Sequence, residues 1–170
     1  MKTIVLIRHS KAEDITRGQK DIERKLRKRG LHDSALIANR LKGENVVPDM
    51  IISSTAVRAI ETAESIANVY GFDAGKIVKE EFIYKGYTSG EFVSYINTLP
   101  DSVETVFVIG HNPELGMLAI NLTNNSIFYF PTTATVVVDF ECDKWAEVES
   151  REGKARTFLY PKLFKHENDD

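Results

Sequence analysis

The chain has 170 residues, of which 42% are hydrophobic, and this is the usual size of one globular domain with a buried core. Its formal net charge of −3 argues against general nucleic-acid binding, which usually depends on a surplus of lysine and arginine. The single cysteine, Cys142, excludes an intrachain disulfide, and no apolar stretch is long enough for a signal peptide or a membrane span. We therefore expect a cytoplasmic protein that binds neither nucleic acid nor a membrane.

The first half of the chain alternates between strand-like and helix-like segments. The apolar run at 3–7 predicts a buried strand that ends abruptly at Arg8, His9 and Ser10. A charged loop is predicted over 11–25, and apolar periodicity predicts a helix over 29–41 that Gly43 stops. A strand over 50–52, a helix opened by 53–55 and closed by Gly71, and a weak strand at 77–78 follow.

The second half continues the same alternation and ends in an antiparallel pattern. Its predicted elements are, in order, a helix with Ser89 as N-cap that Pro100 terminates, a strand over 103–109, a helix with Asn112 as N-cap and Pro113 at its first position, a buried strand over 135–138, and a hairpin of 145–148 with 157–159 around a turn at 152–153.

This alternation predicts the α/β class: a three-layer α/β/α sandwich with a mostly parallel central sheet and an antiparallel edge hairpin. We predict one domain over residues 1–165 and a disordered tail over 166–170. In sheets of this kind, ligands bind outside the carboxyl ends of the parallel strands. The residues at those strand ends are therefore the candidates for function.

Three of the predicted strands end in residues that suit phosphate chemistry. Arg8 and His9 end the first strand, Arg58 lies just beyond the second, and His111 follows the third. Taken singly, each has a structural explanation, such as an ion-paired arginine or a hydrogen-bonded core histidine. Together they predict a phosphate site, because guanidinium forks bind phosphate oxygens, one imidazole can attack phosphorus, and a second, protonated imidazole can donate to the developing charge. This chemistry requires no metal or other cofactor.

Four segments carry a family resemblance. Three of them, at 8–12, 54–63 and 110–113, contain the Arg-His pair, the helix start around Arg58 and the Gly-His-Asn-Pro turn. They resemble the signatures of the histidine phosphatase superfamily, which includes the phosphoglycerate mutases and acid phosphatases. The fourth, at 21–30, is similar to the D-x-x-R-x-L-T-x-x-G stretch of the short SixA-type branch, the phosphohistidine phosphatases. The resemblance runs from Lys2 to about Val138.

The resemblance implies a role for each candidate residue. His9 would form a covalent phosphohistidine intermediate, while Arg8, Arg58 and His111 would clamp the phosphoryl group. Arg24 resembles an arginine that lines the mouth of the pocket in the short branch. The implied fold is that of the phosphoglycerate mutases, and the implied activity is a phosphatase that needs no metal.

Two positions depart from the family pattern. Ser10, which we include among the candidate phosphate-binding residues, stands where the family most often has glycine. If this position requires a positive φ, serine there would cost about 1 kcal/mol. Arg27 stands where threonine is usual, so the following helix is expected to lose its N-cap.

The proton donor is an open assignment. Larger members of the superfamily use an acidic residue from a loop after the second helix, and Glu81 occupies a comparable place. Glu80 is its close competitor, and both residues could equally be solvated surface charges.

The expected substrate is a phosphorylated side chain on another protein. Only residues 80–91 lie where large relatives insert a cap, and an open site suits a protein substrate. The leading hypothesis is a phosphatase for protein phosphohistidine, and the first alternative is a phosphatase for a small phosphorylated metabolite. A non-catalytic phosphoprotein-binding module and a metal-dependent hydrolase are alternatives of other classes, although the chain lacks tight metal-ligand spacing. A mutase would need a lid that encloses its substrate.

Overall fold

The computed structural model describes residues 1–125 and 129–164. Within them, strands and helices alternate as the sequence predicts. The strands are β1 Lys2–Arg8, β2 Met50–Ser54, β3 Val78–Glu80, β4 Thr105–Gly110, β5 Thr135–Phe140 and β6 Lys154–Leu159. The α-helices are α1 Lys28–Gly43, α2 Val57–Tyr70, α3 Glu81–Lys85, α4 Ser89–Ile96 and α5 Glu114–Thr123. The predicted tail at 166–170 and the predicted domain end at 165 lie outside the described residues.

The strands form one sheet in the order β3-β2-β4-β1-β5-β6. The first four strands of this order run parallel to one another, which is possible because a helix crosses over between each consecutive pair along the chain. β5 is antiparallel both to β1 and to β6. The mostly parallel sheet with an antiparallel edge confirms the predicted α/β class.

The two faces of the sheet are covered by different helices. Ile4 and Leu6 of β1 pack on the face that α3, α4 and α5 cover, whereas Val5 and Ile7 pack on the face that α1 and α2 cover. All four side chains are fully buried, and burying each one stabilises the fold by about 1.5–3 kcal/mol. The continuous apolar run of β1 therefore belongs to a central strand of an α/β/α sandwich, buried on both faces.

The antiparallel edge differs in one respect from the prediction. The partner of β6 is β5, with Thr135 opposite Leu159, and the segment predicted as the other hairpin strand, 145–148, contains instead a short 3-10 helix at Trp145–Glu147. Trp145 is fully buried, and its Nε1 donates to the carbonyl oxygen of Val103 at 2.7 Å. Tertiary burial of this aromatic ring explains why an apolar segment that resembles a strand adopts another structure.

Helix starts differ from prediction by a residue or so. Thr88 rather than Ser89 is the N-cap of α4, in a capping box with Glu91. Asn112 still accepts a hydrogen bond from the Gly116 amide, although α5 begins at Glu114. Arg27 precedes α1 without a side-chain capping bond, as expected from the missing threonine. Among the described residues, no helix has the length and hydropathy needed to cross a membrane.

Candidate active site

The three strand ends that carry the predicted residues meet at one edge of the sheet. β1 and β4 are neighbours, with Arg8 opposite Gly110, and β2 pairs with β4 so that Ser53 lies opposite Ile109. Ser54 therefore ends β2 at the level where Arg8 and Gly110 end their strands. The residues that follow these ends surround one cavity of about 470 Å³, and its walls include Arg8, His9, Arg24, Arg58 and His111.

His9 is held with one ring nitrogen turned toward the protein backbone. It is only 8% exposed, and its Nδ1 lies 2.8 Å from the carbonyl oxygen of Ser10. A carbonyl oxygen only accepts hydrogen bonds, so Nδ1 carries the proton and Nε2 keeps its lone pair. Burial lowers the pKa of His9 to about 3, and the imidazole is therefore neutral at physiological pH. These are the properties of a nitrogen nucleophile.

His111 lies beside His9, with 5.1 Å between the ring centroids. Its Nε2 is 2.7 Å from Oγ of Ser54, which also accepts the amide N–H of Ala56. A Ser54 hydroxyl that donates to Nε2 leaves the ring proton on Nδ1. Burial lowers the pKa of His111 to about 4, so this ring is also neutral near pH 7, and not protonated as the sequence suggested for the second imidazole. His111 can then offer an N–H to a phosphoryl oxygen without carrying a charge.

Arg58 is buried and Arg8 is half-buried, and the Nε atom of each lacks a hydrogen-bond partner among the described residues. Arg8 donates from Nη1 to the carbonyl oxygen of Phe130 at 3.0 Å, and Arg58 uses both terminal nitrogens on Asp21. The Nε atoms of Arg8 and Arg58 are buried and have no hydrogen-bond partner within residues 1–125 and 129–164. A buried N–H without a partner is costly, and here both belong to cations in the same cavity wall. An anion in the cavity is the natural acceptor for them.

Asp21 is a site residue for which sequence reasoning assigned no role. Its carboxylate accepts hydrogen bonds from Arg58, from Nε of Arg24 and from the hydroxyl of Tyr84, each at 3.0 Å. Partial burial raises the pKa of this carboxyl, but the bonds from Tyr84 and Arg58 outweigh that effect and hold the pKa below its usual value. Asp21 therefore remains ionised and orients Arg58. It could have been found from sequence, since it is the first residue of the SixA-like segment.

Arg24, the residue expected at the mouth of the pocket, lines the cavity. Besides its bond to Asp21, Arg24 donates from Nη1 to the carbonyl oxygen of Glu13 at 3.2 Å. Its side chain is partly exposed, in contrast to Arg58. Arg24 can thus contact a bound group from the solvent side.

The structure places the Ser10 side chain away from the cavity. It is fully buried, its Oγ lies 2.6 Å from Oγ of Ser34, and it accepts a hydrogen bond from Thr133 at 2.7 Å. Ser10 has no positive φ, so the backbone strain considered for this position does not arise. We assign Ser10 the structural role of linking β1 to α1 and the segment before β5.

The structure does not bring Glu81 to the cavity. Glu81 is the first residue of α3, is 67% exposed at its side chain, and forms an ion pair with Lys85 at 3.3 Å. Neither Glu81 nor Glu80 is among the described residues that line the cavity, whereas two other carboxylates, Asp21 and Glu114, do line it. Glu114 directly follows the Gly-His-Asn-Pro motif, and this position in the sequence could have identified it as a candidate site residue.

Three more wall residues were not anticipated. Tyr84 stacks edge-on against His111, with ring centroids 5.7 Å apart, and Asn112 donates to the same Phe130 carbonyl that Arg8 contacts. Lys85 also lines the cavity. In the described part of the chain, no group of three or more His, Cys, Asp and Glu side chains is arranged to hold a metal ion.

Comparison with known proteins identifies the family. A model of the histidine phosphatase superfamily (branch 1) matches residues 4–82. An uncharacterized protein of Mycobacterium tuberculosis is 31% identical over 153 residues, which is 84% of this chain and 92% of that protein. Serine/threonine-protein phosphatase Pgam5 of Drosophila willistoni is 34% identical over 83 residues, or 49% of this chain and 28% of that one.

Solved structures share the whole fold. SixA from Agrobacterium tumefaciens is 26% identical, with a TM-score of 0.77 over 94% of this chain and 98% of that chain. The protein histidine phosphatase SixA complexed with tungstate has a TM-score of 0.82 at 24% identity, over 96% of this chain and 99% of that chain. These are phosphoglycerate mutase-like folds of SixA type. The chain belongs to the histidine phosphatase superfamily.

Proposed function

We propose that this protein is a phosphatase that forms a covalent phosphohistidine on Nε2 of His9. One observation carries the proposal: Arg8 and Arg58 line the same cavity as His9 and His111, and each has a buried Nε–H without a hydrogen-bond partner among the described residues. Those N–H groups need an anionic acceptor, and a phosphoryl group supplies three oxygens. The neutral His9 ring supplies the nucleophile for the same group.

The first chemical step transfers the phosphoryl group to the enzyme. The lone pair on Nε2 of His9 attacks phosphorus, and an N–P bond forms as the bond from phosphorus to the leaving group breaks. The leaving atom keeps the bonding electron pair and takes up a proton. Arg8, Arg58 and the His111 N–H stabilise the negative charge on the equatorial oxygens, while the Ser10 carbonyl oxygen stabilises the positive charge that develops on the His9 ring.

The second step returns the enzyme to its starting state. A water molecule attacks phosphorus, the N–P bond breaks, and its electron pair returns to Nε2 of His9. The proton lost by the water passes to solvent, and inorganic phosphate leaves. The neutral imidazole is restored because its buried environment disfavours the charged form.

We propose Glu114 rather than Glu81 as the carboxyl group that delivers a proton to a poor leaving group. Glu114 lines the cavity, whereas Glu81 is exposed and paired with Lys85. Asp21 also lines the cavity, but hydrogen bonds from two arginines and a tyrosine favour its ionised form. A proton donor must reach the leaving atom, and position decides this before pKa does.

We propose protein phosphohistidine as the substrate class. The likeness to SixA proteins, described as phosphohistidine phosphatases, supports this choice. The nitrogen leaving group of a phosphoramidate departs readily, so its hydrolysis depends little on a proton donor. Residues between β3 and α4 form only the short helix α3 and a brief turn, which leaves the cavity accessible to a side chain on another protein. We also propose a cytoplasmic location, which the single cysteine suits.

The test compares phosphate release from a phosphohistidine protein with release from a panel of sugar and nucleotide phosphates. We expect the phosphohistidine protein to give the highest kcat/KM, and we expect turnover to persist in a metal chelator. The His9→Ala variant should lose turnover while it retains phosphate binding. Preferential turnover of one metabolite would favour the alternative substrate class. Absence of turnover on every phosphoester and phosphoramidate would contradict the enzyme assignment and favour a binding module.

A further inference from the structure

A groove leaves the catalytic cavity on the side of Arg8 and Asn112. Its inner part has a volume of about 580 Å³ and shares these two wall residues with the cavity. Its outer part, of about 180 Å³, shares four wall residues with the inner part, among them Lys11 and Tyr129. Because consecutive parts share wall residues, they lie next to one another and extend over the surface from the phosphate site.

Positive charge dominates the outer part of this groove. Its exposed cations are Lys11, Arg29 and Lys162, and its one acidic wall residue, Asp33, is 4% exposed and lies 4.0 Å from Arg29. Neither Lys11 nor Lys162 forms an ion pair with any described part of the chain. The chain as a whole carries a net charge of −3, so this basic surface is a local feature. Its charge is complementary to an acidic ligand.

Two tyrosines supply the apolar part of the groove. Tyr129 is 58% exposed, and its ring meets that of Tyr160 edge-on at 5.4 Å. Tyrosine is enriched at protein interaction surfaces, where the ring packs on the partner chain and the hydroxyl remains hydrated.

The position of Lys11 is built into the fold. Its carbonyl oxygen accepts the amide N–H of Arg27 at 2.9 Å, and its backbone lies directly on Gly30 of α1. A Cβ at position 30 would overlap the Lys11 carbonyl oxygen, so only glycine permits this approach. A cation on a fixed backbone costs less ordering when a ligand binds than one on a mobile loop.

We propose that the groove binds an acidic segment of the phosphoprotein substrate, adjacent to its phosphorylated side chain. This inference rests on the proposed function, because the phosphorylated side chain must occupy the cavity for the flanking chain to follow the groove. An extended acidic peptide is favoured by the position of the groove next to the phosphate site, by two lysines without an ion pair among the described residues, and by the exposed tyrosine. Lys162 lines the outer part of the groove and not the cavity, so a small metabolite confined to the cavity would not contact it.

The test uses two phosphohistidine peptides that differ only in their flanks, one with aspartates and one with lysines on both sides. We expect the unmodified protein to hydrolyse the acidic peptide with a kcat/KM at least about 10-fold higher at low salt. The double variant Lys11→Glu with Lys162→Glu should invert this preference. Each peptide rate is divided by the rate of the same protein on phosphoramidate, a small substrate. This ratio corrects for any change that a substitution causes in the phosphate site itself.

The matched control is Lys76→Glu. Lys76 is an exposed lysine that precedes β3 and therefore lies at the opposite edge of the sheet. This variant should keep the preference of the unmodified protein for the acidic peptide.

Three results would overturn the inference. They are equal kcat/KM for the two peptides, an unchanged preference in the double variant, or a preference that emerges only when the chain is shortened to Phe164. The last result would mean that the groove holds the chain's own acidic end, which contains Glu167, Asp169 and Asp170. If the unmodified protein hydrolyses neither peptide nor phosphoramidate, the proposed function itself fails.

Discussion

The contacts of Arg58 suit a side chain that serves both the fold and the proposed chemistry. Its two terminal nitrogens bind the main-chain and side-chain oxygens of Asp21, and its Nε–H remains for a ligand. Such a division requires the planar fork of a guanidinium, which presents donors along two edges. The positive charge alone would not reproduce this arrangement.

We therefore expect Arg58→Lys to lower kcat on phosphohistidine by roughly 100-fold, because an ammonium cannot hold Asp21 and also present a donor to phosphate. Steady-state kinetics measures the loss. Arg151→Lys, a change at an exposed arginine between β5 and β6 that lines neither the cavity nor the groove, is the control for a general arginine-to-lysine effect. Equal kcat for Arg58→Lys and the unmodified protein would contradict the role assigned to the fork.

Glu114 and Glu81 give a second comparison at the scale of single residues. With an alkyl phosphate, whose leaving oxygen needs a proton, Glu114→Gln should lower kcat/KM by about 100-fold. The effect should be smaller on phosphoramidate, because its nitrogen is a better leaving group. Glu81→Gln should change neither rate, and a loss specific to Glu81→Gln would restore the assignment made from sequence.

At the scale of elements, the close approach of the Lys11 segment to α1 depends on Gly30. A built Cβ there overlaps the Lys11 carbonyl oxygen and lies 3.1 Å from the Lys11 amide nitrogen, and both are backbone atoms. This segment connects β1 to the 3-10 helix at Asp21–Glu23, which carries Asp21 toward Arg58. Packing at Gly30 thus helps to position the catalytic cavity.

Gly30→Ala should lower the free energy of unfolding by about 1–3 kcal/mol, because the backbone must move to accept the methyl group. Gly43→Ala is the matched control in the same helix: a Cβ there meets nothing within 4 Å, so the change should be neutral or stabilise by up to about 1 kcal/mol. Urea denaturation measures both. Equal effects of the two substitutions would show that the contact with Lys11 carries no constraint.

The elements that the sequence predicts well are those whose pattern is local. An apolar run such as 3–7 predicts a central strand, and parallel order brings Arg8, His9, Arg58 and His111 to one edge. The failures depend on tertiary contacts that no local pattern contains. Trp145 packs into the core from a 3-10 helix and not from the predicted strand. Glu81 is exposed to solvent because of the orientation of α3.

At the scale of the whole molecule, the two buried histidines couple stability to pH. Burial places the pKa of His9 at about 3 and that of His111 at about 4, below the ordinary value of 6.5 that they regain on unfolding. The unfolded chain therefore binds more protons below about pH 6.5, and the folded state loses stability as the pH falls. This loss accumulates until the pH reaches the pKa of each buried ring.

We expect the free energy of unfolding to fall by about 2 kcal/mol for each of these histidines between about pH 7 and about pH 5. Urea denaturation at several pH values measures the slope. The His9→Asn variant should lose about half of this histidine-dependent slope. His32→Asn, at an exposed position, should keep it, and an identical pH dependence in all three proteins would contradict the burial argument.

The most direct test of the central claim is to trap the phosphoryl group on the enzyme. After rapid mixing with a phosphohistidine protein and a quench at alkaline pH, intact mass should show one added phosphoryl group, and peptide mapping should place it on His9. The label should be lost in acid, as expected for an N–P bond, and His9→Ala should carry none. A phosphoryl group found on another residue, or turnover without any label on His9, would contradict the account.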